Sequence, residues 1–302
     1  MRALRVLALC LLALLAAGPV PAEAKVDVVT SDQNLSWLVK EIGGSNVSTE
    51  FLAGSGQDPH FVQPRPSQVA RLSRADLVVR VGMDLDIWFD SLTRAAGNGK
   101  VVQGAPGYVD ASQGVRALQV PQGKLDPSRG DIHIYGNPHY FYGPSNLPIA
   151  ARNVRDGLKR VDPKNAGTYD ENYTSFIQRL NGKITEWKGK LAGDRGKRVV
   201  TYHMSLIYFL TDFGLSEFGY VEPRPGLQPT PGHISTLAGR MKQDGIKVVL
   251  TEAYRPRRYA DLVASQAGAT VVVIPGGIGA EKGTADYFQF IDTIVNRVAG
   301  AL

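Results

Sequence analysis

The chain has 302 residues, 43% of them hydrophobic and 21% charged, with a formal net charge of +6 and a single cysteine. Its basic residues are interspersed with acidic ones, without a dense basic run, an aromatic-basic alternation or a nucleic-acid motif, so nucleic acid is excluded as an expected partner. The length exceeds the about 100 to 150 residues of a typical single core, which makes two lobes the expectation.

The amino terminus reads as an export signal. Arg2 and Arg5 precede the apolar run Val6 to Ala17, and Ala22-Glu23-Ala24 has the small-x-small spacing of a signal-peptidase site. Residues 1–24 are therefore assigned to a signal peptide, and the mature chain from Lys25 is expected in the periplasm. The apolar run is shorter than the about 20 residues of a transmembrane helix. Cys10 lies inside it, and Leu9 is too bulky to precede an acylated cysteine. A mature chain without thiolate leaves histidine as the residue to follow for a transition metal.

Beyond the signal, short β-branched runs alternate with amphipathic segments. The first half offers strands at Val26 to Thr30, Val47 to Leu52, Leu77 to Val81 and Lys100 to Val102, with helical patterns around Leu35 to Ile42, Pro66 to Leu72 and Leu85 to Arg94. A connecting stretch follows. Asp162-Pro163 supplies a cap and a first-turn proline, after which Tyr169, Tyr173, Phe176, Leu180, Ile184, Trp187 and Leu191 recur at helical spacing until Gly193. Such a helix, of roughly 28 residues, would be about 42 Å long, a stiff spine that predicts small lobe motions rather than a wide hinge. The second half repeats the alternation, with strands at Arg198 to Tyr202, Ser216 to Val221, Val248 to Thr251 and Thr270 to Ile274. Its helices fall near Leu206 to Phe213, Ile234 to Gln243, Arg257 to Gln266 and Thr284 to Val298. The expected class is α/β: two lobes, each with a central mostly parallel sheet flanked by helices, joined by one long rigid helix. Its expected boundaries are an N-terminal lobe over 25–150, a linking segment over 151–194 and a C-terminal lobe over 195–302.

Five histidines are spread along the chain. His60 lies in the glycine-rich loop Gly54 to His60 after the second strand, and His203 directly follows the strand Arg198 to Tyr202. Both are at carboxyl ends of strands, where open α/β sheets place ligands. His139 sits in Gly136-Asn137-Pro138-His139-Tyr140, where a proline restricts the backbone presenting the ring. Each alone also fits a loop, turn or helix-capping histidine. Jointly they put two imidazoles in the first half and one at the matching strand end of the second. His133, in a Gly/Pro/Asp-rich loop, reads as a solvated residue or an accessory ligand, and His233 as a helix start. Three neutral imidazoles suit Zn²⁺, with nitrogen-metal distances of about 2.0 to 2.1 Å and a fourth position left for carboxylate or water. Mn²⁺ prefers more oxygen and is the lesser choice.

Several motifs resemble the zinc and manganese solute-binding proteins of bacterial ABC importers: Asp58-Pro59-His60 with Pro64-Arg65-Pro66-Ser67, Asn137-Pro138-His139-Tyr140, and Tyr202-His203 with Phe213-Gly214-Leu215. The likeness covers nearly the whole mature chain. It implies a monomeric carrier that binds Zn²⁺ between the lobes through His60, His139 and His203 and delivers it to an inner-membrane ABC permease, with a manganese or iron carrier as the alternative. Many members have an aspartate after the last strand, but here Ile274-Pro275-Gly276-Gly277-Ile278-Gly279 has no carboxylate. Glu252 is the expected fourth ligand, against Glu281 or water, and it reads equally as an acceptor for an imidazole N–H. The stretch Ala111 to Gly136 lacks the histidine-rich character that zinc members often show there, which leaves it the role of a lid.

Two other classes compete. A zinc-dependent hydrolase would also use three histidines, an open position and a nearby Glu252, but there is no HExxH helix and no second general acid stands out. An adhesin with a structural metal lacks support from any repeat or large exposed apolar run.

Overall fold

The computed structural model of the protein describes residues 25–122 and 133–302. The signal-peptide assignment, including Cys10, lies outside the described residues. The first lobe begins with β1 (Val26–Asp32), α1 (Gln33–Gly43), β2 (Val47–Ala53), α2 (Pro66–Leu72), β3 (Leu77–Arg80), α3 (Ile87–Ala95) and β4 (Tyr108–Asp110). Its four strands form a parallel sheet in the order β2-β1-β3-β4. All four residues of β3 are buried, as expected for a central strand covered on both faces. Helix α1 starts where the Asp32 carboxylate accepts from the Leu35 amide at 2.8 Å, and it turns Leu35, Leu38, Val39 and Ile42 into the core.

The last strand of this sheet is not the expected Lys100 to Val102. Val101 is fully buried there, but in a turn: Asn98 donates to the carbonyls of Leu72 and Ala75 and pins the loop beneath the sheet. Tyr108 and Val109 take the pairing positions beside Val78 and Val79 instead. Two consecutive valines announced burial, which a loop can supply as well as a strand.

Helix α4 (Leu147–Val161) was not anticipated. It packs Ala150, Ala151, Val154 and Leu158 against the first lobe, touching α1, β3 and β4. Its period is present in the sequence, with Leu147, Ala150, Ala151, Val154 and Leu158 on one face and Arg152, Arg155 and Arg160 off it, but it lies within the stretch read as the connection to the spine. The spine, α5 (Ala166–Lys190), has 25 residues and is about 38 Å long. It starts later than the expected cap because Pro163–Asn165 forms a 3₁₀ turn, and it stops before Gly193. Asn172 near its start donates to Ile42 of the first lobe at 2.9 Å, and Trp187 near its end donates to Asp292 of the second at 2.7 Å.

The second lobe comprises β5 (Arg198–Thr201), α6 (Ile207–Phe213), β6 (Ser216–Tyr220), α7 (Pro231–Gln243), β7 (Val248–Glu252), α8 (Arg257–Ala267), β8 (Thr270–Ile274) and α9 (Tyr287–Ala299). Its sheet is parallel in the order β6-β5-β7-β8, the same order as in the first lobe. The lobes meet tightly. Trp37 of α1 stacks on Tyr287 of α9 at 5.9 Å between ring centroids, within one apolar cluster that also takes in α5. Beside it the loop after β8 lies directly on the first lobe: the Ile278 amide donates to Asn34 at 2.8 Å, and the Tyr142 hydroxyl to the Gly276 carbonyl at 3.2 Å. Gly277 leaves room for this approach, since a Cβ there would meet Asn34 and Ser55 atoms at 2.7 and 2.8 Å. Among the described residues no helix is long and apolar enough to cross a membrane.

Candidate metal site

His60 stands in the loop between β2 and α2, His139 at the entrance of the 3₁₀ turn Tyr140–Tyr142, and His203 immediately beyond β5. Both strand-end loops open on the same side of the two sheets, and the cleft between lobes brings the three rings together. Their ligand atoms lie within 4.8 Å of one another, and the ring centroids are separated by 5.1, 5.2 and 5.4 Å.

Each ring is held by its Nδ1. His60 Nδ1 lies 2.7 Å from Asp58 Oδ1, His139 Nδ1 2.9 Å from Asn137 Oδ1, and His203 Nδ1 2.6 Å from Glu222 Oε2. Partners of this kind only accept, so they place the proton on Nδ1 and leave the lone pair on Nε2. Among the described residues, the Nε2 atoms of His139 and His203 are buried without a hydrogen-bond partner. The first two supports share one local design. In Asp58-Pro59-His60 and in Asn137-Pro138-His139, the side-chain oxygen accepts both the backbone N–H, at 3.1 and 3.0 Å, and the ring N–H of the histidine two residues on. The intervening proline stiffens that turn.

Burial and nearby charge favour the neutral form of two of the rings. Burial, followed by the charge of Arg255, pushes His203 down to about 3, and burial with the neighbouring imidazoles holds His139 well below its ordinary value. Burial alone would raise Asp58, but its bond to His60 and the nearby Arg255 charge hold it well below the usual carboxylate range. A cavity of about 400 Å³ opens in front of His139 and His203, bordered by Gln119, His133, Met204 and Pro223.

Residues 28–301 match the model of a family described as ZnuA, zinc-uptake complex component A, periplasmic. The chain belongs to this family. Zinc-binding protein AdcA of Streptococcus pyogenes serotype M3 is 25% identical over 267 residues, 85% of this chain and 52% of that protein. The chain thus spans about half the length of such curated relatives. Iron-binding protein YfeA of Yersinia pestis is 25% identical over 288 residues, 93% of this chain and 88% of that protein. A crystal structure of ZnuA superposes with a TM-score of 0.77 at 22% identity, covering 92% of this chain and 99% of its own. A manganese-bound mutant of the periplasmic metal binding protein from candidatus liberibacter asiaticus gives 0.77 at 20% identity, covering 92% and 100%.

In this ZnuA-family chain the carboxylates expected near the metal are placed elsewhere. Glu252, 1% exposed at the end of β7, accepts from the Ser205 hydroxyl and lies 3.9 Å from Arg255 Nε, outside the histidine cluster. It is not the acceptor on an imidazole either, since Glu222 takes the ring N–H of His203. Glu281 pairs with Arg297 at 2.5 Å near the surface. His133 reaches the cluster from the cavity side, its Nε2 3.1 Å from Nε2 of His60. His233 begins α7 as expected, its Nε2 2.9 Å from the Tyr220 carbonyl oxygen.

Sequence reasoning missed the supports Asp58, Asn137 and Glu222. The repeated Asx-Pro-His spacing was the available signal for two of them. Glu222 is 19 positions from His203, and only the pairing of β5 with β6 brings them together.

Proposed function

We propose that the protein is the metal-binding component of an ABC importer, which takes Zn²⁺ between its lobes through His60, His139 and His203 and delivers it to an inner-membrane permease from the periplasm. One observation carries this reading: three imidazoles from both lobes converge, each with Nδ1 anchored, and Nε2 of His139 and His203 is left open beside that of His60, which His133 covers. Nitrogen donors at a borderline metal favour zinc, and the fourth position falls to water or to His133 rather than to Glu252. The names of relatives agree, since AdcA is called zinc-binding.

A manganese or iron carrier is the second reading, favoured by the iron-binding name of YfeA and by the manganese-bound structural neighbour. A hydrolase fits less well, because the carboxylates closest to the imidazoles, Asp58 and Glu222, are spent on ring N–H groups rather than poised beside a bound water. The deciding experiment is competition dialysis of the mature chain against equal Zn²⁺ and Mn²⁺, followed by elemental analysis. One zinc per chain with little manganese is expected; preferential retention of manganese would move the assignment to the second reading.

A further inference from the structure

Arg255 stands three residues beyond Glu252, its amide donating to the Glu252 carbonyl at 3.0 Å in a tight turn of the second lobe. Its side chain is only 7% exposed and lies between the rings of Tyr202 and Tyr254, 5.9 and 5.2 Å from their centroids. Nη1 reaches across the cleft to Asp58 Oδ2 at 2.9 Å. The other oxygen of that carboxylate holds His60 by both ring and backbone N–H. One carboxylate thus joins a cation of the second lobe to a metal-site histidine of the first.

Part of this arrangement is structural, since Arg255 is also the counter-charge of the buried Glu252, whose carboxylate lies 3.9 Å from Nε. Hydrogen bonding does not explain the rest: Nε and Nη2 are buried without a hydrogen-bond partner among the described residues, and a buried ion pair of this kind is often no more stable than apolar side chains of the same shape. What the arginine does accomplish is geometric. A carboxylate at the end of a glycine-rich loop has rotational freedom, and an ion pair on its far oxygen fixes the plane in which the near oxygen meets the imidazole.

We infer that Arg255 is a positioning residue for the metal: it fixes the Asp58 carboxylate, and through it the ring of His60, so that His60 presents Nε2 to the ion in full alignment only while the lobes are together. The inference rests on the zinc-carrier reading and adds to it a route from lobe separation to metal release. Pulling the lobes apart removes the Arg255 guanidinium from Asp58 before any metal bond need break, and the ligand it supports then loosens.

The test is a double-substitution cycle on the mature chain, using Zn²⁺ dissociation into excess chelator and the visible absorption of the Co²⁺-loaded protein as readouts. Asp58→Asn and Arg255→Met should each speed zinc dissociation by about 10- to 100-fold, the range for loss of a partner that orients a metal ligand. Both should also alter the Co²⁺ spectrum. The pair Asp58→Asn/Arg255→Met should release zinc no faster than Asp58→Asn alone. Should Arg255→Met fail to fold because Asp58 and the buried Glu252 lose their shared cation, Arg255→Lys, which keeps the charge without the planar fork that fixes the carboxylate, takes its place in both comparisons. A parent-like release rate and Co²⁺ spectrum in Arg255→Met, or a further acceleration when it is added to Asp58→Asn, would overturn the inference. If the unsubstituted chain holds no zinc, the zinc reading fails first and this inference with it, a result seen before any substitution is made.

Discussion

Nε2 of His133 faces Nε2 of His60 at 3.1 Å. Because Asp58 takes the Nδ1 proton of His60, the Nε2 of His60 accepts in this contact and His133 donates. The lone pair used is the one an ion needs, so a metal must displace His133 or bind it as well. Replacing His133 by alanine is expected to slow zinc capture from a competing chelator in stopped-flow mixing. Its equilibrium affinity should stay within about tenfold, or 1.4 kcal/mol, of the parent. A loss as large as that of His139→Ala would place His133 among the final ligands.

Ranking of the ligands follows from the site geometry. His60→Ala, His139→Ala and His203→Ala should each weaken zinc by more than the about 10- to 100-fold expected for Asn137→Ala or Glu222→Ala, which remove only ring supports. His233→Ala should leave affinity unchanged. Glu252→Ala should lower thermal stability by about 1 to 3 kcal/mol, because the buried Ser205 hydroxyl loses its partner, while altering zinc affinity little. Calorimetric zinc titration checks the affinities and thermal melts the stability, and a large affinity loss in Glu252→Ala would restore that residue as a ligand.

Acid should destabilise the metal-free protein through the site itself. His203 titrates near 3 and His139 well below 6.5 in the fold, whereas both return to about 6.5 on unfolding. The unfolded chain therefore binds more protons between those limits, and the contribution of these two groups, complete above about pH 6.5, is lost as pH falls towards 3. Asp32, raised by burial to about 6, acts in the opposite direction over part of the range, as do Asp84, Asp110, Glu217 and Glu222, which burial also raises, so the histidine contribution is read as a difference. In chelator, the Tm advantage of the parent over His139→Gln/His203→Gln should shrink between about pH 7 and about pH 5. A difference that does not change with pH would contradict the placement of these rings.

Closure can be wedged without touching a donor. Gly277→Ala would push a methyl group against Asn34 and Ser55 across the cleft. A cost of about 1 to 3 kcal/mol is expected, as for other overpacked contacts, together with faster zinc release. On the spine, Gly182→Ala meets nothing within 4 Å and should stabilise by roughly 0.5 to 1 kcal/mol, giving a control in the opposite direction. Thermal melts and release kinetics of both variants test the pair together.

Most of the strands and the three histidines were legible because each carried a local signal: β-branched runs for Val248–Glu252 and Thr270–Ile274, and strand-end or proline-flanked positions for the imidazoles. Helix α4 was not picked out although Leu147, Ala150, Ala151, Val154 and Leu158 keep helical spacing, because it lies in the connection just before the longer aromatic pattern of the spine. Tyr108–Asp110 was missed because the nearby Val101 gave the louder apolar signal. Glu252 was expected at the metal from its place at a strand end. Which way its carboxylate faced depended on Ser205 and Arg255, partners that only the folded chain supplies.

The three clustered donors are all nitrogen. Zinc sites built on thiolates can be emptied by oxidants, which convert the ligand itself into a disulfide or a sulfenic acid. Imidazole offers no such reaction, and the one cysteine of the sequence lies outside the described residues. An ion held by these donors alone would be indifferent to the redox state of its surroundings, and its release would be left to protons and to separation of the lobes.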